Sequence, residues 1–183
     1  MKFNKNIFWL FIVPLTLLGC AGKTTMQPLQ AYDKPIEIER FMGSWYVIGS
    51  IPVTIPGFSE AGAHNGMESY ELTDDGTILT TYTFRKGSFD GKEKRFTPKG
   101  WVYNKQTNTE WRMQFLWPFK AVYLIGWVSD DYEETIITVP NRKYIWIMAR
   151  NWRMTDERYA ALIQMAQDMG YNTKLIQRIP QQW

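Results

Sequence analysis

The sequence predicts an all-β protein: an eight-stranded antiparallel up-and-down β-barrel with one C-terminal α-helix packed outside it. From Gly43 onward, apolar and polar residues alternate and turn residues recur at short intervals, which gives eight strand-like runs. No helical run separates them, so consecutive strands are expected to pair as hairpins. Closure into a barrel then leaves no exposed edge. A chain of 183 residues is long enough for one domain with a sizeable core.

The first twenty residues have the features of a targeting segment. Lys2 and Lys5 form a positive region, and the apolar run over 7–18 that follows is shorter than the roughly 20 residues of a spanning helix. The motif Leu-Leu-Gly-Cys at 17–20 resembles the lipobox of bacterial lipoproteins. We therefore expect residues 1–19 to be a lipoprotein signal peptide and Cys20, the only cysteine, to carry acyl chains such as palmitate.

Residues 20–35 are expected to form the lipidated N-terminus and a tether. They are polar, include Pro28 and Pro35, and show no periodicity. Ala21 follows the cysteine at the position where lipoproteins retained at the inner membrane commonly carry Asp, so the resemblance implies the outer membrane. The barrel domain is expected over 36–183, beginning with one helical turn over 36–42.

The strands and the helix follow from alternation, turn residues and capping residues. The predicted strands are Trp45–Ile51, Met67–Leu72, Ile78–Phe84, Arg95–Tyr103, Glu110–Leu116, Val122–Val128, Glu134–Val139 and Lys143–Arg150. Asp-Gly at 75–76 is typical of a tight hairpin because it tolerates positive φ. Thr155 can cap a helix over 155–169 that Gly170 ends, and its single apolar stripe indicates packing against the sheet. The tail over 173–179 is expected to add one more strand.

Short motifs along this pattern resemble those of the lipocalin family. Gly43 and Trp45 begin the first strand, Asp131 and Tyr132 lie in the turn before the seventh, and Arg150 closes the eighth. The resemblance covers about residues 36–179 and, with the lipobox, looks like bacterial outer-membrane lipoprotein lipocalins of the apolipoprotein D type. It implies that the Arg150 guanidinium lies flat on the Trp45 ring and closes one end of the barrel.

Alternation also predicts the inner wall. If Trp45 and Arg150 point inward, Gly49 continues the same phase, and the apolar phase of the other strands gives the rest. The candidate ligand-binding residues are Tyr70, Tyr82, Phe84, Trp111, Met113, Phe115, Tyr123, Ile125, Trp127, Trp146 and Glu68. Composition leaves open whether this wall is a filled core or lines a cavity, and the resemblance favours a cavity. A carboxylate at Glu68 must reach water at the mouth, find a partner such as a ligand's head group, or take up a proton.

The residues argue against catalysis and against nucleic-acid binding. His64 is the only histidine and lies among small residues, and no catalytic triad order, phosphate loop or metal-ligand spacing is present. We therefore expect no enzyme activity, metal or cofactor. The formal charge of +3 comes without a basic stripe, so no nucleic-acid partner is expected.

The resemblance, the apolar inner wall and the acyl anchor together predict a lipid-binding lipoprotein of the outer membrane that faces the periplasm. Its expected partners are a fatty acid or lysophospholipid, and the membrane itself through the N-terminal acyl chains. Storage, transport or envelope maintenance would be its role, and a homo-oligomer is compatible with the sequence. The alternative is a structural or interaction lipoprotein whose barrel is filled and whose loops bind an envelope partner.

Overall fold

The computed structural model describes residues 26–55 and 58–183, so the expected signal peptide and Cys20 lie outside the described residues. The predicted fold class is confirmed: eight antiparallel strands close into a barrel, and one long helix packs outside it. The elements are α1 Ile38–Phe41, β1 Gly43–Ser50, β2 Thr54–Ile55, β3 Phe58–Ser59, β4 Ala63–Leu72, β5 Thr77–Lys86, β6 Glu93–Phe96, β7 Lys99–Val102, β8 Glu110–Leu116, β9 Phe119–Val128, β10 Glu134–Thr138, β11 Ile145–Ala149, α2 Asp156–Asp168, a 3₁₀ turn Thr173–Leu175 and β12 Gln177–Arg178. Within that part of the chain, no helix is long and apolar enough to cross a membrane.

Each barrel strand pairs with the next in the order β1, β4, β5, β7, β8, β9, β10 and β11, and β11 then pairs with β1. Strands β2 and β3 form a separate two-stranded sheet. Tyr46 lies opposite Ala149 in the closing pair. The single strand predicted over 95–103 is divided into β6 and β7, both of which pair with β5. The break falls at Pro98, which has no N–H to donate to a neighbouring strand. Its carbonyl still accepts a hydrogen bond of 3.1 Å from the Thr80 amide, so the division leaves the barrel closed.

Connections between strands alternate between the two ends of the barrel. We call the end with the turns over 73–76, 103–109 and 129–133 the closed end. The end with the connections over 51–62, 87–92, 117–118 and 139–144 is the open end. The Asp-Gly turn at the closed end is formed as predicted, with Gly76 at φ +80°.

Two bulges reverse the predicted side of the residues that follow them. The register of β1 against β11 shifts between Val47 and Gly49, and a Cβ built on Gly49 would lie 2.7 Å from the Tyr159 hydroxyl on α2. In β9 the register shifts so that Ile137 pairs with Ile125, whereas Ile136 pairs with Trp127. Trp127 therefore packs under α2, outside the barrel. The predictions that Gly49 and Trp127 face inward are wrong, because a bulge adds one residue and changes the alternation.

The hairpin between β8 and β9 projects beyond the open end. Past the register shift after Met113, the side chain of Phe115 is 61% exposed. The prediction that Phe115 lines the interior is therefore wrong, because the residue lies beyond the register shift, next to the exposed tip of the hairpin. Leu116, Trp117 and Phe119 are also exposed, at 71%, 80% and 73%. We call residues 115–119 the rim hairpin.

Helix α2 packs on the outer face of β10 and β11. The Thr155 hydroxyl caps it by accepting from the Arg158 amide, and Gly170 follows its end at φ +86°. Leu162 and Ala166 are fully buried against isoleucines on the outside of the barrel. The tail differs in part from the predicted strand, because a 3₁₀ turn precedes β12, which pairs with β1.

The segment before α1 runs along the barrel from the open end to the closed end. The Leu29 amide donates to the Pro140 carbonyl near the open end, at 2.8 Å. Further along, the Tyr32 amide donates to the Ile125 carbonyl, also at 2.8 Å, and the Ile36 amide reaches Thr107 at the closed end. The chain thus enters its described part beside the open end.

Candidate ligand-binding site

Arg150 connects the end of β11 to α1 and the start of β1 at the closed end. Its guanidinium carbon lies 3.7 Å from the centre of the Trp45 ring, which is the predicted cation–π contact. The same group donates hydrogen bonds to backbone carbonyls of Ser44 at 2.8 Å, Arg40 at 2.9 Å and Met42 at 2.7 Å. The sequence pattern did not reveal these carbonyl contacts. They make Arg150 the link between the start and the end of the barrel.

The other residues of the predicted closing motif surround this contact. Gly43 adopts φ +89°, and a Cβ there would lie 3.3 Å from the Arg150 guanidinium, so glycine fits both the backbone and the space. Tyr132 also has positive φ, at +62°, and its hydroxyl accepts from the Glu37 amide at 2.7 Å. The Asp131 carboxylate accepts from the Ser129 hydroxyl and orders the turn, and this hydrogen bond lowers the pKa of Asp131.

The half of the interior next to the closed end is filled. Phe41 of α1 packs 5.0 Å from the Trp45 ring and 5.5 Å from the Trp111 ring, measured between ring centres. The fully buried residues here are Phe41, Trp45, Val47, Ile78, Trp111, Met113, Ile125 and Met148. This half is a packed core with no accessible surface on these side chains.

The half nearer the open end, which we call the looser half, retains a small accessible surface on some of its side chains and contains most of the polar groups. Glu68, Tyr82 and Trp146 retain 7%, 7% and 8% exposure, whereas the core below them retains none. The hydroxyls of Tyr70 and Tyr123 are hydrogen-bonded to each other at 2.5 Å across the barrel. A ligand inside this barrel would therefore meet aromatic rings and hydroxyl groups above the packed core.

Two carboxyl groups lie in this looser half. Glu68 comes from β4, and Glu60 comes from the open-end connection, where its carboxylate accepts from the Val53 amide at 2.9 Å. Burial raises the pKa of Glu60 to about 7, against hydrogen bonds from Val53 and Trp146. Burial, and then the charge of Glu60, raise the pKa of Glu68 to about 8, although the Tyr70 and Tyr123 hydroxyls oppose the shift. None of the ion pairs among residues 26–55 and 58–183 includes either glutamate.

Two hydroxyls on the neighbouring strand β5 have no hydrogen-bond partner among the residues that the structure describes. They belong to Thr80 and Tyr82, both buried on the inner face of β5. Tyr82 lies opposite Glu68 in the β4–β5 pairing, and Thr80 lies opposite Tyr70. We call Glu60, Glu68, Thr80 and Tyr82 the polar subsite. Buried polar groups without partners are uncommon in folded proteins, so they indicate a place for another molecule.

The described residues of the connection over 51–62 pack against the interior at the mouth of the barrel. The ring of Phe58 in β3 lies 4.2 Å from that of Phe96 and 6.5 Å from that of Phe84, measured between centres. The same connection places Glu60 in the interior. The Glu60 carbonyl also accepts from the Ala63 amide at 3.0 Å, which fixes the point where the connection enters β4.

Most residues predicted to line the interior do lie on its inner wall. They are Tyr70, Tyr82, Phe84, Trp111, Met113, Tyr123, Ile125, Trp146 and Glu68. The sequence reasoning missed Glu60. One signal could have found it, since Glu60 is the only charged residue in an otherwise apolar and small run over 51–63. His64 lies in β4 at the open end against the Phe89 ring, 5.0 Å between centres.

Two clefts of about 400 and 550 Å³ lie outside the barrel. The first is between the tail and the segment before α2, where Arg178 pairs with Asp156. The second is beside Met26 and the β10–β11 connection. Neither is lined by the aromatic and carboxyl groups of the interior, which is the candidate site.

Comparisons with known proteins agree with this architecture. A family model described as a lipocalin-like domain matches residues 36–181. Temperature-induced lipocalin-1 of Arabidopsis thaliana is 28% identical, covering 81% of each chain. Outer membrane lipoprotein Blc of Vibrio cholerae is 22% identical and covers 95% of this chain and 98% of its own. The Escherichia coli K12 protein of the same name is 24% identical over 85% of each chain.

Solved structures show the same fold at lower identity. The cockroach allergen Per a 4 aligns with a TM-score of 0.60 and 15% identity, over 84% of this chain and 94% of that chain. Insecticyanin from the tobacco hornworm Manduca sexta aligns with a TM-score of 0.59 and 12% identity, over 85% and 84% of the two chains. At these identities the likeness concerns the fold alone.

Proposed function

Because the chain belongs to the lipocalin-like family, we propose that it binds a hydrophobic ligand with one acyl chain, a fatty acid or a lysophospholipid, inside its barrel. The observation that carries the proposal is the inner wall of aromatic and aliphatic side chains, which is looser above the packed core. Such a wall takes an apolar chain, and a few polar groups orient its head. Lipid storage, transport or envelope maintenance would follow from this binding.

The proposed location is the outer membrane, with the barrel anchored through acylated Cys20 and facing the periplasm. The relatives named outer membrane lipoprotein Blc support it, as does the Leu-Leu-Gly-Cys motif. The path of the N-terminal segment adds a geometric argument, since it leaves the barrel beside the open end. An anchor attached there would hold the mouth near the bilayer from which such ligands come. The exposed aromatics of the rim hairpin suit the membrane interface.

A second function is favoured by the filled half of the barrel. If the looser half is also closed to ligands, the protein would be an interaction lipoprotein, and the rim hairpin would offer apolar surface to an envelope protein. Ligand binding separates the two functions directly. An interaction lipoprotein would carry no lipid and would show no titration with fatty acids.

Organic extraction of protein purified from its native envelope, followed by mass spectrometry, is expected to release a single-chain lipid. Titration with fatty acid or lysophospholipid should quench tryptophan fluorescence, because Trp146 lies on the inner wall above the packed core. Thr80→Phe fills the looser half and should weaken this binding at least tenfold. Thr81→Phe, on the outer face of the same strand, is the matched control and should leave it unchanged. Circular dichroism would check that both variants fold. Absence of lipid and of quenching would contradict the proposal.

The proposed anchor depends on Cys20. Cys20→Ser should leave the barrel able to fold but prevent acylation, so membrane fractionation should show the variant lost from the outer membrane. The wild-type chain expressed at the same level is the control. A variant that remains in the outer-membrane fraction to the same extent would show that another feature holds the protein there.

A further inference from the structure

The polar subsite has an unusual charge balance for the inside of a lipid-binding barrel. Glu60 and Glu68 are both buried, at 5% and 7% exposure. Within the described part of the chain neither glutamate pairs with a lysine or arginine. A buried carboxylate without a cation is costly, and two of them that act on each other are more so. The free protein therefore holds at least one proton there, or the site receives a positive group.

The groups around the carboxyls suit a cation better than an anion. The Tyr123 ring centre lies 6.1 Å from that of Trp146, so aromatic rings border the same space. Aromatic faces attract ammonium groups, and carboxylates attract them further. The hydroxyls of Thr80 and Tyr82 can accept hydrogen bonds from an ammonium N–H. A fatty acid's carboxylate would instead meet two like charges.

We propose that the polar subsite binds the ammonium group of a single-chain amphiphile, a long-chain amine in its simplest form. This inference rests on the proposed function, because it names the head group of the ligand in the same barrel. The packed core below the subsite leaves no room for the chain in that direction. The ligand therefore lies with its ammonium group inward and its chain toward Phe84, Phe96 and Phe58 at the mouth.

Glu60 connects the polar subsite to the chain segment at the mouth of the barrel. It is carried by the connection over 51–62, and Val53 of the same connection donates to its carboxylate. An ammonium group between Glu60 and Glu68 would cancel their repulsion and hold the connection over the bound chain. A carboxylate ligand would have the opposite effect.

The test uses dodecylamine, dodecanoic acid and dodecanol, which share one chain and differ in the head group. Each would displace a fluorescent fatty probe from the full chain carrying Cys20→Ser, below the aggregation concentration of the ligand. At pH 8.5 both glutamates are largely ionised and the amine is protonated. The expected result is that dodecylamine binds at least tenfold more tightly than dodecanoate, with dodecanol between them.

Variants assign that preference to the subsite. Glu68→Gln and Glu60→Gln should each reduce the amine-to-acid ratio at least tenfold and leave dodecanol binding within about twofold. Glu71→Gln, at an exposed position on the same strand as Glu68, should change the binding of none of the three ligands. If the acid and the alcohol bind and the amine binds no more tightly than the acid, this inference is wrong while the proposed function stands. If none of the three binds, the proposed function fails as well.

Discussion

The free energy of unfolding is expected to fall by several kcal/mol as the pH rises from about 4.5 to about 8. The cause is burial, which raises the pKa of Glu60 to about 7 and that of Glu68 to about 8, from 4.5 in the unfolded chain. The folded protein holds these protons more tightly, so their stabilisation is complete below pH 4.5. It is lost as the pH rises through 7 and 8. At 1.36 kcal/mol per pKa unit, the two raised pKa values together correspond to a fall on the order of 8 kcal/mol.

Urea denaturation of the full chain carrying Cys20→Ser, at a series of pH values, would measure this fall. Glu68→Gln in the same background should remove most of the slope, because an amide needs no proton to stay buried. Glu60→Gln should remove part of it. Glu71→Gln is exposed and should retain the full slope. A parent protein whose stability is constant or rises over this range would show that the buried carboxyl groups are solvated or paired.

Replacing Arg150 by Ala is expected to lower the free energy of unfolding by about 3–5 kcal/mol. The change removes the cation–π contact with Trp45 at 3.7 Å and leaves the carbonyls of Ser44, Arg40 and Met42 without their donor. It also loosens the point where the first strand meets the last. Equilibrium denaturation would measure the cost. A double-mutant cycle with Trp45→Phe should give a coupling energy above about 0.5 kcal/mol.

Arg153 provides the control for this prediction. Its guanidinium lies 4.3 Å from the Trp152 ring, a similar contact at the surface, and no barrel closure depends on it. Arg153→Ala should therefore change the stability by no more than about 0.5 kcal/mol. Equal effects of the two substitutions would mean that Arg150 contributes only a surface contact.

The strands and most of the inner wall could be predicted because alternation survives wherever the pairing is regular. Tyr70, Tyr82 and Trp111 followed from that rule and lie inside. The rule fails at bulges, which one sequence does not reveal. Trp127 follows such a bulge in β9 and lies on the outer face. Because α2 covers that face, an apolar residue is found there just as on the inner face. Only the register against β10 distinguishes the two faces.

The ends of the barrel were harder to predict because tertiary contacts decide them. Phe115 follows the register shift after Met113, next to the tip of the β8–β9 hairpin, and is exposed there. Glu60 is on a connection whose path depends on Phe58 packing against Phe96. Neither feature leaves a periodic signal. The closed end was more predictable, because Trp45 and Arg150 are distinctive residues at fixed points of the pattern.

The pairing of β1 with β11 determines when this chain can become a barrel. Tyr46 and Ala149 meet in that pair although about a hundred residues separate them, so the pairing has to overcome a large loop-closure entropy. Until the last strand is available, β1 has one unpaired edge, and Trp45 has no Arg150 above it. During synthesis, β1 therefore cannot pair with β11 until most of the chain has been made. Slow folding, with an edge that can pair wrongly in the meantime, is the kinetic consequence of closing the sheet on itself.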